Sequence, residues 1–267
     1  MIDRTADLIA SIRRRHAQVL EGIAAAARRA GRSSDAVRLV VVTKSQPLRV
    51  VEAAVEAGIQ ILGENYAEEA VAKIRALREV PIETSLRNAP MPSAAGGASG
   101  VEWHMIGHVQ GRKAKLVAQY FDLIHSLDSV GLAERLDRLA AEIGRELPVL
   151  LEFNVGGEAE KSGWEAREES AWPVLLSDVE AIAGFSNLKV RGLMTMPPLS
   201  SAPEDARIYF RRLRKLQEFL AARIPKAAWG ELSMGTSADY AVAVEEGATL
   251  VRVGEAILGA RPPREPT

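Results

Sequence analysis

The sequence predicts an α/β protein built as a single (β/α)8 TIM barrel with one additional N-terminal helix. Short apolar or β-branched runs alternate with helix-like segments eight times along the chain. Such alternation is typical of a parallel sheet with right-handed crossovers. The chain has 267 residues, and one closed barrel of this kind commonly takes about 250. Eight units in this length favour the closed barrel over the alternative, an open doubly wound sheet.

The chain begins with a predicted helix over residues 4–30. Leu8, Ile12, Val19 and Ile23 recur at helical spacing, with Arg and Glu between them. Charges interrupt this segment throughout, so it lacks the apolar core of a signal peptide. Apolar runs elsewhere are far shorter than the ~20 residues of a membrane span. We therefore expect a cytoplasmic protein that does not bind membranes.

Each of the eight units that follow pairs a short strand with a helix. The first strand is rich in β-branched residues, as expected for a strand buried on both faces, and Pro47 and Gly58 bracket the helix after it. In the fifth unit, Pro173 is predicted to perturb the middle of the helix. The predicted strands are 38–44, 59–63, 103–107, 122–128, 148–155, 188–196, 231–235 and 249–254. The predicted helices are 47–58, 66–79, 111–120, 130–144, 167–185, 203–223, 237–247 and 255–261.

One stretch interrupts this alternation. Residues 80–101 are rich in Pro, Ala, Gly and Ser and show no sustained periodicity, so we expect a flexible surface loop inserted before the third strand. Residues 262–267 are expected to be frayed. Neither segment has the character of a domain boundary, and we predict one domain over residues 1–267.

Composition excludes several functional classes. The chain is 47% hydrophobic with a formal net charge of -1, which argues against general disorder and against a protein that coats nucleic acid. It contains no cysteine, which excludes thiol nucleophiles and cysteine-ligated metals. His104 and His108 are four residues apart, but the pattern places them in a strand and the loop after it. We therefore expect no metal site, since the familiar pair at this spacing requires a helix.

Candidate functional residues lie where the strands end, because barrels build their active sites at that face. Lys44 ends the first strand, where desolvation by apolar walls would make its amine a nucleophile towards carbonyl compounds. An ordinary strand-end lysine that reaches water is the simpler interpretation of this position alone. Residues 232–240 and 251–256 combine small residues with a following helix. They belong to units seven and eight, where barrels often bind phosphate.

These features also have purely structural interpretations. Ser237 and Asp239 can cap a helix, and Arg252 can pair with a carboxylate such as Glu255 in the barrel wall. In a functional interpretation, Arg252 is a permanent hydrogen-bond donor that keeps a facing pyridine nitrogen unprotonated. The residues alone leave both interpretations open.

Six motifs in fixed order resemble the pyridoxal 5'-phosphate (PLP) homeostasis protein family, small PLP-binding barrels related to the N-terminal domain of alanine racemase. The motifs are VVTKSQP, ILGENYAEEA, EWHMIGHVQGRKAKLV, GLMTMPP, LSMGTSADY and VRVGEAILGAR. They begin at residues 41, 61, 102, 192, 232 and 251. The resemblance extends over most of the chain, from Leu39 to Arg261.

The resemblance implies that PLP is the cofactor and is held as a Schiff base on Lys44. It implies that Asn65 flanks the cofactor, that Arg252 faces the pyridine nitrogen, and that His104 lies near the pocket. The implied phosphate-binding residues are Ser233, Gly235, Thr236 and Ser237 in the first segment, and Gly254 and Glu255 in the second.

Two of these positions depart from the family pattern. Thr236 stands where a second Met is usual, and it adds a hydroxyl donor. Glu255 stands where Thr or Ser is common, and its carboxylate would repel a phosphate. We therefore expect any phosphate contact at residue 255 to be made by the backbone N–H.

The resemblance implies a protein of PLP homeostasis that carries or buffers the cofactor without catalysis and supplies PLP-dependent apo-enzymes. The chain ends soon after the eighth unit, which leaves no space for the second domain of a racemase, and we expect a monomer. One alternative is a PLP-dependent racemase or lyase acting on a small amino acid. Another is an aldolase that uses Lys44 without a cofactor.

Overall fold

The computed structural model describes residues 4–79, 100–198 and 200–261. These residues form a closed barrel of eight parallel strands surrounded by helices, with one long helix before the first strand. The (β/α)8 fold is therefore confirmed. The loop expected at 80–101 lies outside the described residues except for its last two, and the frayed end expected at 262–267 lies wholly outside them.

Nine strands are present in the described part of the chain, and eight of them form the barrel. The sheet order is β4-β3-β2-β1-β9-β8-β7-β5, and a pairing of β4 with β5 closes it. The extra strand, β6, has two residues and pairs with the end of β5. It was not predicted because two residues are too few to show a periodicity. The strands are β1 Arg38–Val42, β2 Ile61–Glu64, β3 Glu102–Met105, β4 Leu123–Leu127, β5 Leu147–Asn154, β6 Trp164–Glu165, β7 Leu188–Met194, β8 Glu231–Ser233 and β9 Leu250–Val253.

Helices cover the outside of the barrel. The prediction for Pro173 is wrong, because this residue lies in the first turn of its helix, where a backbone N–H has no acceptor inside the helix. A short 3-10 turn over Glu169–Ala171 precedes that helix. The α-helices are α1 Arg4–Arg29, α2 Leu48–Glu56, α3 Ala67–Glu79, α4 Ala114–Tyr120, α5 Val130–Glu142, α6 Trp172–Ala183, α7 Arg207–Arg223, α8 Tyr240–Glu245 and α9 Glu255–Leu258. Within the described residues, none of them is both long and apolar enough to cross a membrane.

Buried side chains form two layers. The larger layer lies between the strands and the helices. The smaller one fills part of the barrel interior with apolar side chains from five different strands, namely Val40, Leu123, Leu150, Met194 and Leu250. Polar side chains that are also buried occupy other interior positions, and they include His104, His125, Ser233 and Arg252. This polar part of the interior leads to the carboxyl end of the barrel, where the candidate site lies.

Candidate functional site

Lys44 follows β1 at the carboxyl end of the barrel. The hydrogen-bond ladder continues one residue past the strand, because the N–H of Thr43 donates to the carbonyl oxygen of Gly63 at 3.0 Å. Alternate residues of a strand share a face. Lys44 is therefore on the same face as Val40, whose side chain lies in the barrel interior. Its side chain is half-buried. The predicted position of the lysine at this end of the barrel therefore agrees with the fold.

The backbone on both sides of Lys44 is held by residues of α3. Ser45 has a φ of 58°, in the left-handed region that residues other than glycine rarely adopt. Its N–H donates to Glu69 Oε1 at 2.7 Å. On the other side, Lys73 Nζ donates to the carbonyl oxygen of Thr43 at 2.8 Å. These two contacts fix the direction in which Lys44 leaves the strand.

A buried carboxylate completes this cluster. Glu64 Oε1 accepts hydrogen bonds from Lys73 Nζ and from Thr43 Oγ1, each at 2.7 Å, and Lys73 Nζ also lies 2.6 Å from Glu69 Oε1. Burial raises the pKa of Glu64, although Lys73 and Thr43 act in the opposite direction. Sequence reasoning missed this cluster. Its one visible signal is that Glu69 and Lys73 are four residues apart, the spacing of an ion pair on a helix.

Asn65 follows β2, which pairs in parallel with β1. It therefore lies at the same end of the barrel as Lys44. Its Oδ1 is buried and has no hydrogen-bond partner among the described residues. Gly107 packs closely against it, since a Cβ at residue 107 would lie 2.5 Å from the carbonyl oxygen of Asn65. A buried acceptor of this kind requires a donor, and a bound ligand can supply one.

Arg252 is buried in the barrel on β9. Its Nη2 donates to the carbonyl oxygen of Thr195 at 2.9 Å and lies 2.9 Å from Met196 Sδ, while its Nη1 donates to Ser233 Oγ. Within the described structure, its hydrogen-bond partners are thus neutral atoms and not a carboxylate such as that of Glu255. Desolvation by burial lowers the pKa of Arg252 to about 10, against the opposing effect of nearby carboxylates. The guanidinium therefore carries its charge at neutral pH.

Ser233 and His104 belong to a row of hydrogen-bonded side chains inside the barrel. His125 lies between them, with its Nδ1 2.8 Å from Ser233 Oγ and its Nε2 2.9 Å from His104 Nδ1. His104 Nε2 is 2.7 Å from Glu102 Oε1. We call Arg252, Ser233, His125, His104 and Glu102 the axial row. His104 is thus connected to Arg252, at the carboxyl end of the barrel, through hydrogen bonds by way of His125 and Ser233.

The two segments expected to bind phosphate lie side by side. The N–H of Gly254 is 3.4 Å from Ser237 Oγ, and the N–H of Arg252 donates to the carbonyl oxygen of Gly235 at 3.0 Å. Gly235 has a φ of 93°, and a Cβ there would lie 2.5 Å from the Cβ of Ala243. Only glycine fits this position.

Thr236 and Glu255 differ in what they present to a ligand. Both the N–H and the hydroxyl of Thr236 donate to Asp239 Oδ1, at 2.6 and 3.0 Å, so this side chain stabilises its own turn. The side chain of Glu255 is exposed. Its backbone N–H lies in the first turn of α9, where no acceptor is available inside the helix.

A second buried acid lies near the carboxyl end, on β5. Burial, with the charge of Asp128 acting in the same direction, raises the pKa of Glu152 to about 7 against the opposing charge of Arg252. Asp128 itself accepts a hydrogen bond from the exposed His108, whose Nδ1 is 2.8 Å away. Sequence reasoning missed Glu152, although it is the only acid within the apolar strand 148–155. The described residues contain no cluster of acids and histidines that could hold a metal ion.

Comparison with known proteins identifies the family. Residues 19–262 match the family described as alanine racemase, N-terminal domain. A protein of Aquifex aeolicus named pyridoxal phosphate homeostasis protein is 38% identical over 248 residues, which cover 92% of this chain and 97% of that protein. The chain belongs to the pyridoxal phosphate homeostasis protein family. A member of the same name from Escherichia coli K12 is 36% identical over 252 residues, covering 92% of this chain and 94% of that protein.

Solved structures agree with membership of the homeostasis protein family. PipY of Synechococcus elongatus PCC7942, with PLP bound, is 32% identical and superposes with a TM-score of 0.69, covering 84% of this chain and 93% of PipY. An alanine racemase of Clostridium difficile 630 has a TM-score of 0.60 at 12% identity. It is matched over 55% of its own length, and at this identity the likeness concerns the fold alone. The resemblance that the motifs indicated is thus confirmed.

Proposed function

We propose that this chain binds PLP at the carboxyl end of its barrel, with Lys44 as the covalent attachment point, and that it serves PLP homeostasis by carrying or buffering the cofactor. The observation that carries the proposal is the convergence of three kinds of group at one end of one barrel. These are a primary amine on a fixed backbone, a buried guanidinium, and two adjacent segments of small residues. PLP, when bound, would supply an aldehyde group, for which a primary amine is the matching nucleophile.

The residues present fit this cofactor. Lys44 provides the amine, and the buried Oδ1 of Asn65 provides an acceptor that has no partner in the described structure. Arg252 would hold the pyridine nitrogen, and the segments around Ser237 and Gly254 would hold the phosphate with hydroxyl and backbone N–H donors. Gly235 supports the same assignment, because it permits the tight turn on which the first segment depends.

Arg252 also favours storage of the cofactor over catalysis. It is charged, it has no acceptor atoms, and Ser233 and Thr195 hold its guanidinium in place. A pyridine nitrogen that faces such a group accepts a hydrogen bond and stays unprotonated. An unprotonated ring withdraws electrons less strongly, which disfavours carbanion chemistry on an amino acid. As part of this proposal, the protein is a cytoplasmic monomer that supplies PLP to PLP-dependent apo-enzymes.

The visible absorption spectrum tests the proposal. The purified protein should be yellow, or become yellow on addition of PLP, and borohydride should fix the chromophore to the chain. Lys44→Ala should abolish this, whereas Lys189→Ala should not, because Lys189 lies at the opposite end of the barrel and pairs with Glu146. A colourless protein that takes up no PLP would overturn the proposal.

One observation favours a second function, a PLP-dependent racemase or lyase acting on a small amino acid. Glu152 has a pKa of about 7 near the carboxyl end of the barrel, and such a group can both accept and donate a proton at neutral pH. The PLP-loaded protein would be incubated with a panel of L-amino acids, and formation of D-isomers and of lyase products followed. Substantial turnover that is lost in Glu152→Gln would support the enzyme and contradict the carrier.

A further inference from the structure

We propose that His125 and His104 are positioning residues for Arg252, on which they act through the hydroxyl group of Ser233. This inference rests on the proposed function, because the orientation of Arg252 acquires its meaning when that residue faces the bound cofactor. It assigns a role to two buried histidines that the proposed binding site does not itself use.

The two ends of the axial row fix the direction of its hydrogen bonds. A guanidinium can only donate, so Ser233 Oγ must accept from Arg252. At the other end, burial alone would raise the pKa of Glu102, but the hydrogen bond to His104, the electrostatic attraction of that ring and the charge of Arg38 bring it below its ordinary value. Glu102 is therefore an ionised carboxylate, which can only accept. The proton between Glu102 and His104 belongs to His104 Nε2.

The remaining protons follow from these two ends. In the arrangement we infer, the imidazole of His104 has one proton, on Nε2, so its Nδ1 is an acceptor and the proton between the two rings lies on His125 Nε2. His125 is neutral, because burial, with the charge of Arg252 acting in the same direction, lowers its pKa well below the usual range. Its Nδ1 therefore accepts the hydroxyl proton of Ser233. In this arrangement every contact in the axial row joins one donor to one acceptor.

Charge favours this arrangement over its reverse. With both rings neutral, the axial row has one cation, Arg252, at one end and one anion, Glu102, at the other. A proton added to His125 would place a second positive charge next to Ser233 in a buried interior, which is unfavourable. With both rings neutral, the hydrogen bonds of the row are directed from Arg252 to Glu102.

This direction determines what Ser233 does to Arg252. A serine hydroxyl is free to rotate unless its proton is bound. Because His125 Nδ1 accepts the hydrogen bond from the Ser233 hydroxyl, the lone pairs of Ser233 Oγ remain directed at Arg252 Nη1. The carbonyl oxygen of Thr195 holds Nη2 of the same guanidinium. Two fixed acceptors on two nitrogens define the plane of the group, and loss of the first allows it to turn.

The first experiment measures PLP affinity in wild type, His125→Leu and His125→Asn. His125→Leu removes the acceptor for Ser233, and we expect the Kd for PLP to rise by about tenfold, the loss typical of one hydrogen bond to a charged group. His125→Asn keeps an acceptor near the position of Nδ1 and should restore part of the affinity. Ile124→Ala is the matched control. It removes a buried side chain of the same strand that packs towards the helices, and it should lower stability without changing the Kd.

The outcomes separate this inference from the proposed function. If wild type fails to bind PLP on Lys44, the proposed function fails. If wild type binds PLP and folded His125→Leu binds it equally tightly, only the positioning role fails.

A second experiment tests the row in the unaltered protein. Long-range ¹H–¹⁵N NMR of the histidine rings reports which nitrogen carries the proton. We expect both His125 and His104 to be neutral and protonated on Nε2, with and without PLP. A proton on Nδ1 of His125 would mean that Ser233 does not donate to it, and that result would overturn the inference even if every variant failed to fold.

Discussion

Lys73→Met tests how firmly the backbone around Lys44 is held. The side chain of Lys73 is 7% exposed and that of Glu64 is 0% exposed. The substitution keeps most of the apolar stem but removes the ammonium group. Glu64 then retains only the hydroxyl of Thr43 as a donor, and its other oxygen already has no partner within the described residues. Breaking a buried pair in this way typically costs about 3–5 kcal/mol of unfolding free energy.

The cost should depend on pH in a known direction. Without Lys73, the burial that already raises the pKa of Glu64 acts with less opposition, so the variant's Glu64 has a folded-state pKa above its unfolded value. A raised pKa contributes stability below the unfolded pKa that is lost as pH rises through the folded pKa. We therefore expect the stability difference between wild type and Lys73→Met to be larger at pH 7.5 than at pH 5.

Urea unfolding followed by circular dichroism measures this difference. Lys115→Met, on an exposed position of α4, is the matched control and should change the free energy of unfolding by less than about 0.5 kcal/mol. Adding Glu64→Gln to Lys73→Met should recover part of the loss, because it removes the unpaired buried charge. A loss of less than about 1 kcal/mol in Lys73→Met, or a loss that is the same at both pH values, would contradict this role of the buried Glu64–Lys73 pair.

Three further predictions concern single positions. Gly192→Ala should prevent formation of a soluble folded protein, because a Cβ would lie 1.8 Å from the carbonyl oxygen of Glu231 on the adjacent strand; a soluble variant with a cooperative thermal transition near that of wild type would contradict this. Glu152→Gln should make the protein more stable than wild type above pH 7, by roughly 3 kcal/mol for a pKa raised from 4.5 to about 7. This gain should vanish below pH 4, and a pH-independent difference in urea unfolding would count against the assigned pKa. Gly235→Ala should weaken PLP binding at least tenfold while Gly131→Ala, on α5 with open space around it, leaves it unchanged in an absorbance titration.

The barrel could be predicted from the sequence because its strands are buried on both faces. Such strands appear as continuous β-branched or apolar runs, and the helices between them keep one apolar face. Two local features escaped prediction. β6 has too few residues to show a period, and the 3-10 turn before α6 resembles a first helical turn in sequence, which moved the apparent position of Pro173 towards the middle of the helix.

The site could be predicted only in part. Lys44, Asn65 and Arg252 lie at the ends of strands, and a barrel brings such positions to one face whatever their separation in sequence. The hydrogen bonds that hold these side chains in place join residues at no regular spacing in the sequence. His125 and Ser233, for example, are 108 residues apart, and their contact depends on which strands face each other across the barrel.

Lys44 is the residue that we propose holds PLP. Peptide mass spectrometry of the protein after loading with PLP and reduction with borohydride tests this proposal most directly. We predict one PLP-derived mass increase, on the peptide that contains Lys44, and its absence in Lys44→Ala. An unmodified Lys44 peptide, with the label absent or distributed over exposed lysines, would contradict the attachment of PLP to Lys44.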